Sequence, residues 1–216
     1  MSLLLPATDL RRRMPRLLLG LVLFGVGIAC MVRADLGLSP WDVLHQGVAR
    51  RSALSIGQVS ILTSLVVLLL WVPLRERPGI GTLCNAVLIG LVVDATLGLV
   101  PPLEAVAPRV GLLLLGPVLV AVGSGFYIGA GLGPGPRDGL MTGLARRGMP
   151  IGPVRGGIEV TVFLLGWALG GTVGIGTLVF TAGIGPLVHL FLPRLALDDA
   201  DRTRGPSRDV VPEPAA

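Results

Sequence analysis

"LGLSPWDVL", residues 36–44, follows a long apolar run and places a proline, a tryptophan and a carboxylate where a lipid-facing helix holds none of them. "LGPGPRDGL", residues 132–140, does much the same 96 positions later. A chain that breaks its helix twice, with the same grammar and at corresponding points of two halves, implies a duplicated architecture with a specialised break in each copy.

Composition identifies the solvent. Of the 216 residues 52% are hydrophobic and only 14% charged, and the mean hydropathy is +0.80. A soluble domain with a polar surface is far less apolar, so the chain reads as a membrane protein. All 18 basic residues are arginines, clustered at the ends of apolar segments, and aromatics make up 4%. The net charge of +5 therefore describes a basic membrane rim and gives no argument for nucleic acid.

Apolar segments of spanning length lie at residues 15–36, 54–73, 79–100, 110–131, 155–173 and 175–193. Each has about the 20 residues that a helix needs to cross roughly 30 Å of hydrocarbon. Six spans are predicted, forming a membrane domain over 15–193 between a short N-terminal segment, 1–14, and a mixed-charge, Pro-rich tail, 194–216, expected to be disordered. With the N-terminus in the cytoplasm, fourteen arginines fall inside and only Arg33, Arg50, Arg51 and Arg109 outside. The positive-inside rule thus predicts a multi-pass protein of the bacterial inner membrane with both termini cytoplasmic. "GIAC", ending at Cys30, imitates a lipoprotein cleavage box, but Gly27 is wrong for one and the segment has a counterpart at 110–131, so it reads as a retained span. Cys30 and Cys84 both sit in apolar segments and read as small buried hydrophobes, not a disulfide.

The duplication is detailed. At an offset of 96, Gly20 matches Gly116, Gly27 matches Gly123, Ala34-x-Leu36-Gly37 matches Ala130-x-Leu132-Gly133, Pro40 and Asp42 match Pro136 and Asp138, and Arg50-Arg51 matches Arg146-Arg147. After one deleted residue Ile56-Gly57 matches Ile151-Gly152, and "GIGTL" at 79–83 recurs at 174–178. Each copy (15–100 and 110–193) carries three spans, and an odd number obliges the second copy to enter from the opposite face. Inverted-topology repeats follow, and with them alternating access as the functional expectation.

Ser39-Pro40-Trp41-Asp42 has the form of a helix start, with Ser39 as N-cap, Pro40 at the first helical position and Asp42 as the reciprocal member of a capping box. From each start about ten residues run to a double arginine, too few to span. Two placements are open. The helix either lies in the interface with its arginines at the headgroups, or is broken or re-entrant, so that its free N–H groups and positive dipole end face a solute inside the bundle.

"ADLGLSPWDVLHQGVA" followed by "SIGQVS" resembles the signature of the bacterial YczE/YitT-type integral membrane proteins, over residues 15–193. The resemblance implies a small multi-span fold and brings no defined biochemical activity. The second half departs from the motif, with Gly135 for Ser39, Arg137 for Trp41 and Met141 for His45.

Within the spans, Asp94 and His189 occupy matching positions of the third and sixth segments, and an ionisable group at such depth is a functional candidate. Glu159, four residues after Arg155, shares its helix face and can form a local ion pair. Asn85 can bond between helices. HExxH, GxSxG and CxxC are absent, and two histidines in separate spans make no metal cluster, so neither an enzyme nor a metal or cofactor site is expected. "GSGFYIGAG" lies within a span, where small residues serve close packing and not nucleotide binding. The expectation is an all-α membrane protein of six spans as two inverted repeats, transporting an unidentified small molecule or ion. Ser39, Asp42, Arg137 and Asp138 are the candidate solute residues; Asp94 and Glu159 are candidates for coupling. The alternative is a non-transporting membrane factor that docks or stabilises a partner protein through Gly-rich helix faces such as Gly166 and Gly170; a homo-oligomer or a partner protein is open as the associate.

Overall fold

A computed structural model describes residues 7–197. The tail expected over 194–216 lies largely outside the described residues, and of the N-terminal segment 1–14 residues 1–6 do, while residues 7–14 form the start of the first helix. Among the described residues there are eight helices: α1 (Ala7–Ala34), α2 (Pro40–Ala49), α3 (Ile56–Leu74), α4 (Ile80–Leu99), α5 (Val106–Gly129), α6 (Pro136–Ala145), α7 (Ile151–Ala168) and α8 (Ile175–Leu195). The order long, short, long, long occurs twice, and no strand is present among the described residues.

Five helices, α1, α3, α4, α5 and α8, are long and apolar enough to cross a membrane. The fifth expected span differs. Its helix, α7, begins at Ile151 and stops at Ala168, because Gly170, at φ +94°, turns the chain toward α8. The 18 residues of α7 include Arg155 and Glu159, which lower its hydropathy below that of the other five.

The two halves meet along α1 and α5. A methyl group on Gly20 would come within 2.6 Å of Tyr127 N, and one on Gly123 within 2.6 Å of Gly20 O. Seven residues along, a methyl on Gly27 would meet Gly116 O at 2.7 Å, and one on Gly116 would meet Gly27 O at 2.9 Å. Gly20 thus faces Gly123 while Gly27 faces Gly116, so the helices run antiparallel and backbone meets backbone through small residues. Leu17, Leu21, Ile28, Val120 and Tyr127 fill the flanks and are buried.

Other contacts between the halves also come in equivalent pairs. Arg13 Nη1 donates to Ala130 O at 3.0 Å, and Arg109 Nε donates to Ala34 O at 2.8 Å, each arginine capping the end of the other half's first helix. Gly81 N donates to Leu132 O at 2.9 Å, and Gly176 N to Leu36 O at 2.7 Å. The repeated GIGTL therefore docks the N-terminus of α4 on the break before α6, and that of α8 on the break before α2. Gly37 (φ +117°) and Gly133 (φ +126°) turn those breaks in a conformation other residues resist. The double arginines follow the same rule. Arg51 donates to Leu169 O at 3.0 Å and Arg50 to Thr172 Oγ1 at 2.9 Å, at the end of α7. Arg147 donates to Pro73 O, and Arg146 pairs with Glu76, at the end of α3. These arginines cap helix ends in the other half.

One pair is broken. Gly57 and Gly90 lie so close that a methyl on either would run into the other's carbonyl, packing α3 on α4. Gly152 and Gly185, at the equivalent positions, each face open space, and α7 makes no comparable packing with α8.

Replacing Gly20 or Gly123 by valine should overpack the α1–α5 crossing and cost about 1–3 kcal/mol, read as a loss of thermal stability in detergent. Gly111→Ala, on the same α5 helix where no atom lies near, should leave that stability unchanged.

Candidate functional site

Both helix breaks open on one cavity of about 470 Å³. Its wall is made of residues at repeat-equivalent positions: Asp42 and Asp138, Ser60 and Arg155, Ser64 and Glu159, Ile89 and Ile184. The cavity thus lies where the halves exchange, between α3 and α4 on one side and the parted α7 and α8 on the other. All four candidate solute residues, Ser39, Asp42, Arg137 and Asp138, line it, and so does Glu159.

Ser39 is the N-cap of α2: its Oγ accepts from Asp42 N at 3.3 Å and donates to Asp42 Oδ2 at 2.5 Å. The carboxylate takes the serine hydroxyl in place of the reciprocal bond expected of a capping box. Its other oxygen, Oδ1, lies 3.3 Å from His45 Nδ1, one turn along the helix. His45 is wholly buried. Neither Oδ1 nor Nδ1 has a well-formed hydrogen-bond partner, so the two face one another out of line.

From the other half, α6 brings Arg137 over this pair. Its Nη2 lies 3.4 Å from His45 Nε2, and its guanidinium stacks 4.6 Å from the centre of the Trp41 ring. An arginine can only donate, so the contact assigns the lone pair to Nε2 and the hydrogen to Nδ1, toward Asp42. Pro136 holds α6 in place by accepting from Trp71 Nε1 at 3.0 Å. Asp138 accepts from Tyr127 OH at 2.9 Å, and Arg155 pairs with Glu159 at 3.1 Å as its i,i+4 spacing predicted. Three carboxylates and two guanidinium groups therefore face one space whose remaining wall mixes hydroxyl, amide and aromatic groups with aliphatic side chains such as Ile28, Ile89, Val120 and Ile184.

Asp94 lies elsewhere. It accepts the Ser55 hydroxyl and, at 2.9 Å, Gly57 N, fastening the start of α3 to α4 beside the close Gly57–Gly90 contact. His189 at the matching place is exposed, and Pro150 stands at the position equivalent to Ser55 and offers no hydroxyl, so the second half has no such fastening. Gly166 packs against the backbone of Leu44, which places one of the glycines proposed for partner docking inside the fold.

The helix α2 buries Trp41, Asp42, Val43, His45, Gln46 and Gly47, and Pro40, Leu44 and Val48, at i, i+4 and i+8, make up its half-buried face. His45, Tyr127 and Arg155 were not singled out in the sequence as site residues. His45 carried one legible signal, its place one turn after Asp42 with methionine as its counterpart; Tyr127 and Arg155 come to the cavity only through helix packing.

The model of the Family of unknown function (DUF6198) matches residues 11–193. An uncharacterised protein of Haemophilus influenzae is 41% identical over 83% of each chain. The uncharacterised membrane protein YczE of Bacillus subtilis is 35% identical over 81% of this chain and 83% of its own. YyaS of the same organism, also uncharacterised, is 26% identical over 81% and 90%. The expected resemblance to YczE is thereby met. No solved structure matches the chain.

In a background with Cys30→Ser and Cys84→Ser, Ser39→Cys and Gly135→Cys should both react with a water-soluble maleimide, because both positions line the cavity. Ala29→Cys, at a wholly buried position, should stay unlabelled. Labelling that instead follows distance to the nearer membrane surface would contradict a shared aqueous space.

Proposed function

The chain belongs to the Family of unknown function (DUF6198), and from that premise we propose that it is a transporter of a small polar solute, working by alternating access between two inverted repeats. The observation that carries this reading is the single charged cavity between the two helix breaks, closed by α3 on α4 and left unclosed by α7 and α8. Antiparallel packing of α1 on α5, with Gly20 on Gly123 and Gly27 on Gly116, supports a two-fold relation whose axis passes between the two helices, perpendicular to their length, and therefore lies in the membrane plane. On that axis each half can adopt the other's conformation. The alternate state would bring Gly152 onto Gly185 and part Gly57 from Gly90, exposing the cavity to the opposite side.

In this reading α7 is the fifth of six spans. Its charges Arg155 and Glu159 neutralise one another and turn to the cavity, where a polar pair is tolerated within a membrane. The helices α2 and α6 are broken segments whose N-termini face the solute, and their non-helical breaks are covered by protein. Arginine bias places both termini in the cytoplasm of a bacterial inner membrane. No reaction is involved, and the solute is held by the carboxylates of Asp42 and Asp138 and by Arg137.

A second reading, a membrane factor that docks a partner, draws on the open glycines Gly152, Gly156 and Gly157 of α7. The two readings differ in one outcome. For a transporter, Gly152→Cys and Gly185→Cys should crosslink within one chain, and the crosslink should stop flux; for a docking factor the same cysteines should crosslink to a second chain.

Flux is the direct test. Proteoliposomes loaded with a mixture of small polar metabolites should lose or gain particular solutes under an ion or proton gradient, as read by mass spectrometry. Asp138→Asn should lower the initial rate at least about tenfold, since it removes a charge from a desolvated site. Native protein that moves no solute under any gradient would overturn the reading.

A further inference from the structure

The contacts that build this fold occur twice: Arg13 on Ala130 and Arg109 on Ala34, Gly81 on Leu132 and Gly176 on Leu36, and the two arginine pairs on the ends of α7 and α3. The contact of Arg137 with His45 and Trp41 occurs once. Its mirror would set Trp41 over Met141 and Arg137, and methionine has no ring nitrogen to accept from a guanidinium. A fold assembled by duplication needs no such centre for its stability, and the centre sits at the meeting point of the two halves, bridging α2 and α6.

We propose that His45, backed by Asp42, is a proton-binding site, and that the proton and Arg137 compete for the same lone pair on His45 Nε2. In the structure that lone pair faces Arg137 Nη2 at 3.4 Å, while Nδ1 faces Asp42 Oδ1 at 3.3 Å. A proton added at Nε2 turns the imidazole into a donor on both sides. The donor on Nδ1 still suits Asp42; the donor on Nε2 opposes another donor and another positive charge, so Arg137 must leave. Conversely, the proton can arrive from the cavity only when Arg137 has swung away. Binding of one proton to α2 is thereby tied to movement of an α6 side chain across the boundary between the halves.

The surrounding charges make this exchange local. On α2 the group facing His45 is Asp42. From α6 comes Arg137; Asp138, and Glu159 of α7 with its partner Arg155, stand on the cavity wall beside that guanidinium. The helix α3, also packed on α2, carries no titratable side chain between Ile56 and Leu74. An Arg137 released from His45 has Asp138 and Glu159 on the same cavity wall to receive it.

This site deepens the transport reading and takes its functional meaning from it, but its test needs no solute. The chain has two histidines, so His189→Gln leaves His45 as the one imidazole, and nitrogen NMR of histidine-labelled protein in nanodiscs reads its tautomer and titration directly. The native protein should show hydrogen on Nδ1 when neutral. Arg137→Gln should raise the proton affinity of His45 at least about tenfold, and Asp42→Asn should lower it by a similar factor. Hydrogen on Nε2 in the neutral native protein, or a midpoint indifferent to Arg137→Gln, would overturn the proposal. Should that variant fail to fold, an unchanged midpoint in Asp42→Asn would overturn it equally. Flux that persists while His45 shows no coupling removes the proton site and leaves the transporter; a coupled titration without flux leaves the site and removes the transporter.

Discussion

The contact on which the rest depends is the antiparallel crossing of α1 and α5 through glycines. In a bilayer no hydrophobic effect drives helices together, because lipid tails are as apolar as leucine. Close approach of the two backbones supplies dispersion contact in its place, and only residues without side chains allow it. Gly20, Gly27, Gly116 and Gly123 occupy those positions. With that pair set, the first helix of each half lies against the first helix of the other, and the later helices of each half are brought to the opposite half for capping and docking.

The consequence is an exchanged architecture in which helix ends are completed from the other half. Four terminal carbonyls of a helix have no partner within it, and inside a membrane water does not supply one. Arg13, Arg109, Arg51 and Arg147 supply it, reaching across from one half to the other. The arginines at the ends of apolar segments thus satisfy helix termini. Neither half can bury its broken segment without the other, which is why both breaks face a common space.

Symmetry at the level of backbone coexists with difference in chemistry. Asp94 and Ser55 hold α3 to α4, while Pro150 and His189 in the same places hold nothing. Asp138 rests on Tyr127, while Asp42 rests on Ser39 and faces His45. The fastening is present on one side only, and the cavity is bounded by a packed pair, α3 on α4, and an unpacked one.

Much of this was legible in residue order. The apolar periodicity, the repeated break, the prolines at the first helical position and the register of 96 and then 95 are local properties, because helix starts and membrane spans depend on neighbouring residues and on the solvent. They determined the helical class, the two halves, the short helices at Pro40 and Pro136, and the place of Ser39, Asp42, Arg137 and Asp138. The end of α7, the partners of the double arginines, the fastening role of Asp94 and the meeting of His45 with Arg137 were decided only by tertiary structure. Each depends on groups about 37 to 120 residues apart in the chain, brought together by helix packing whose geometry no local pattern encodes.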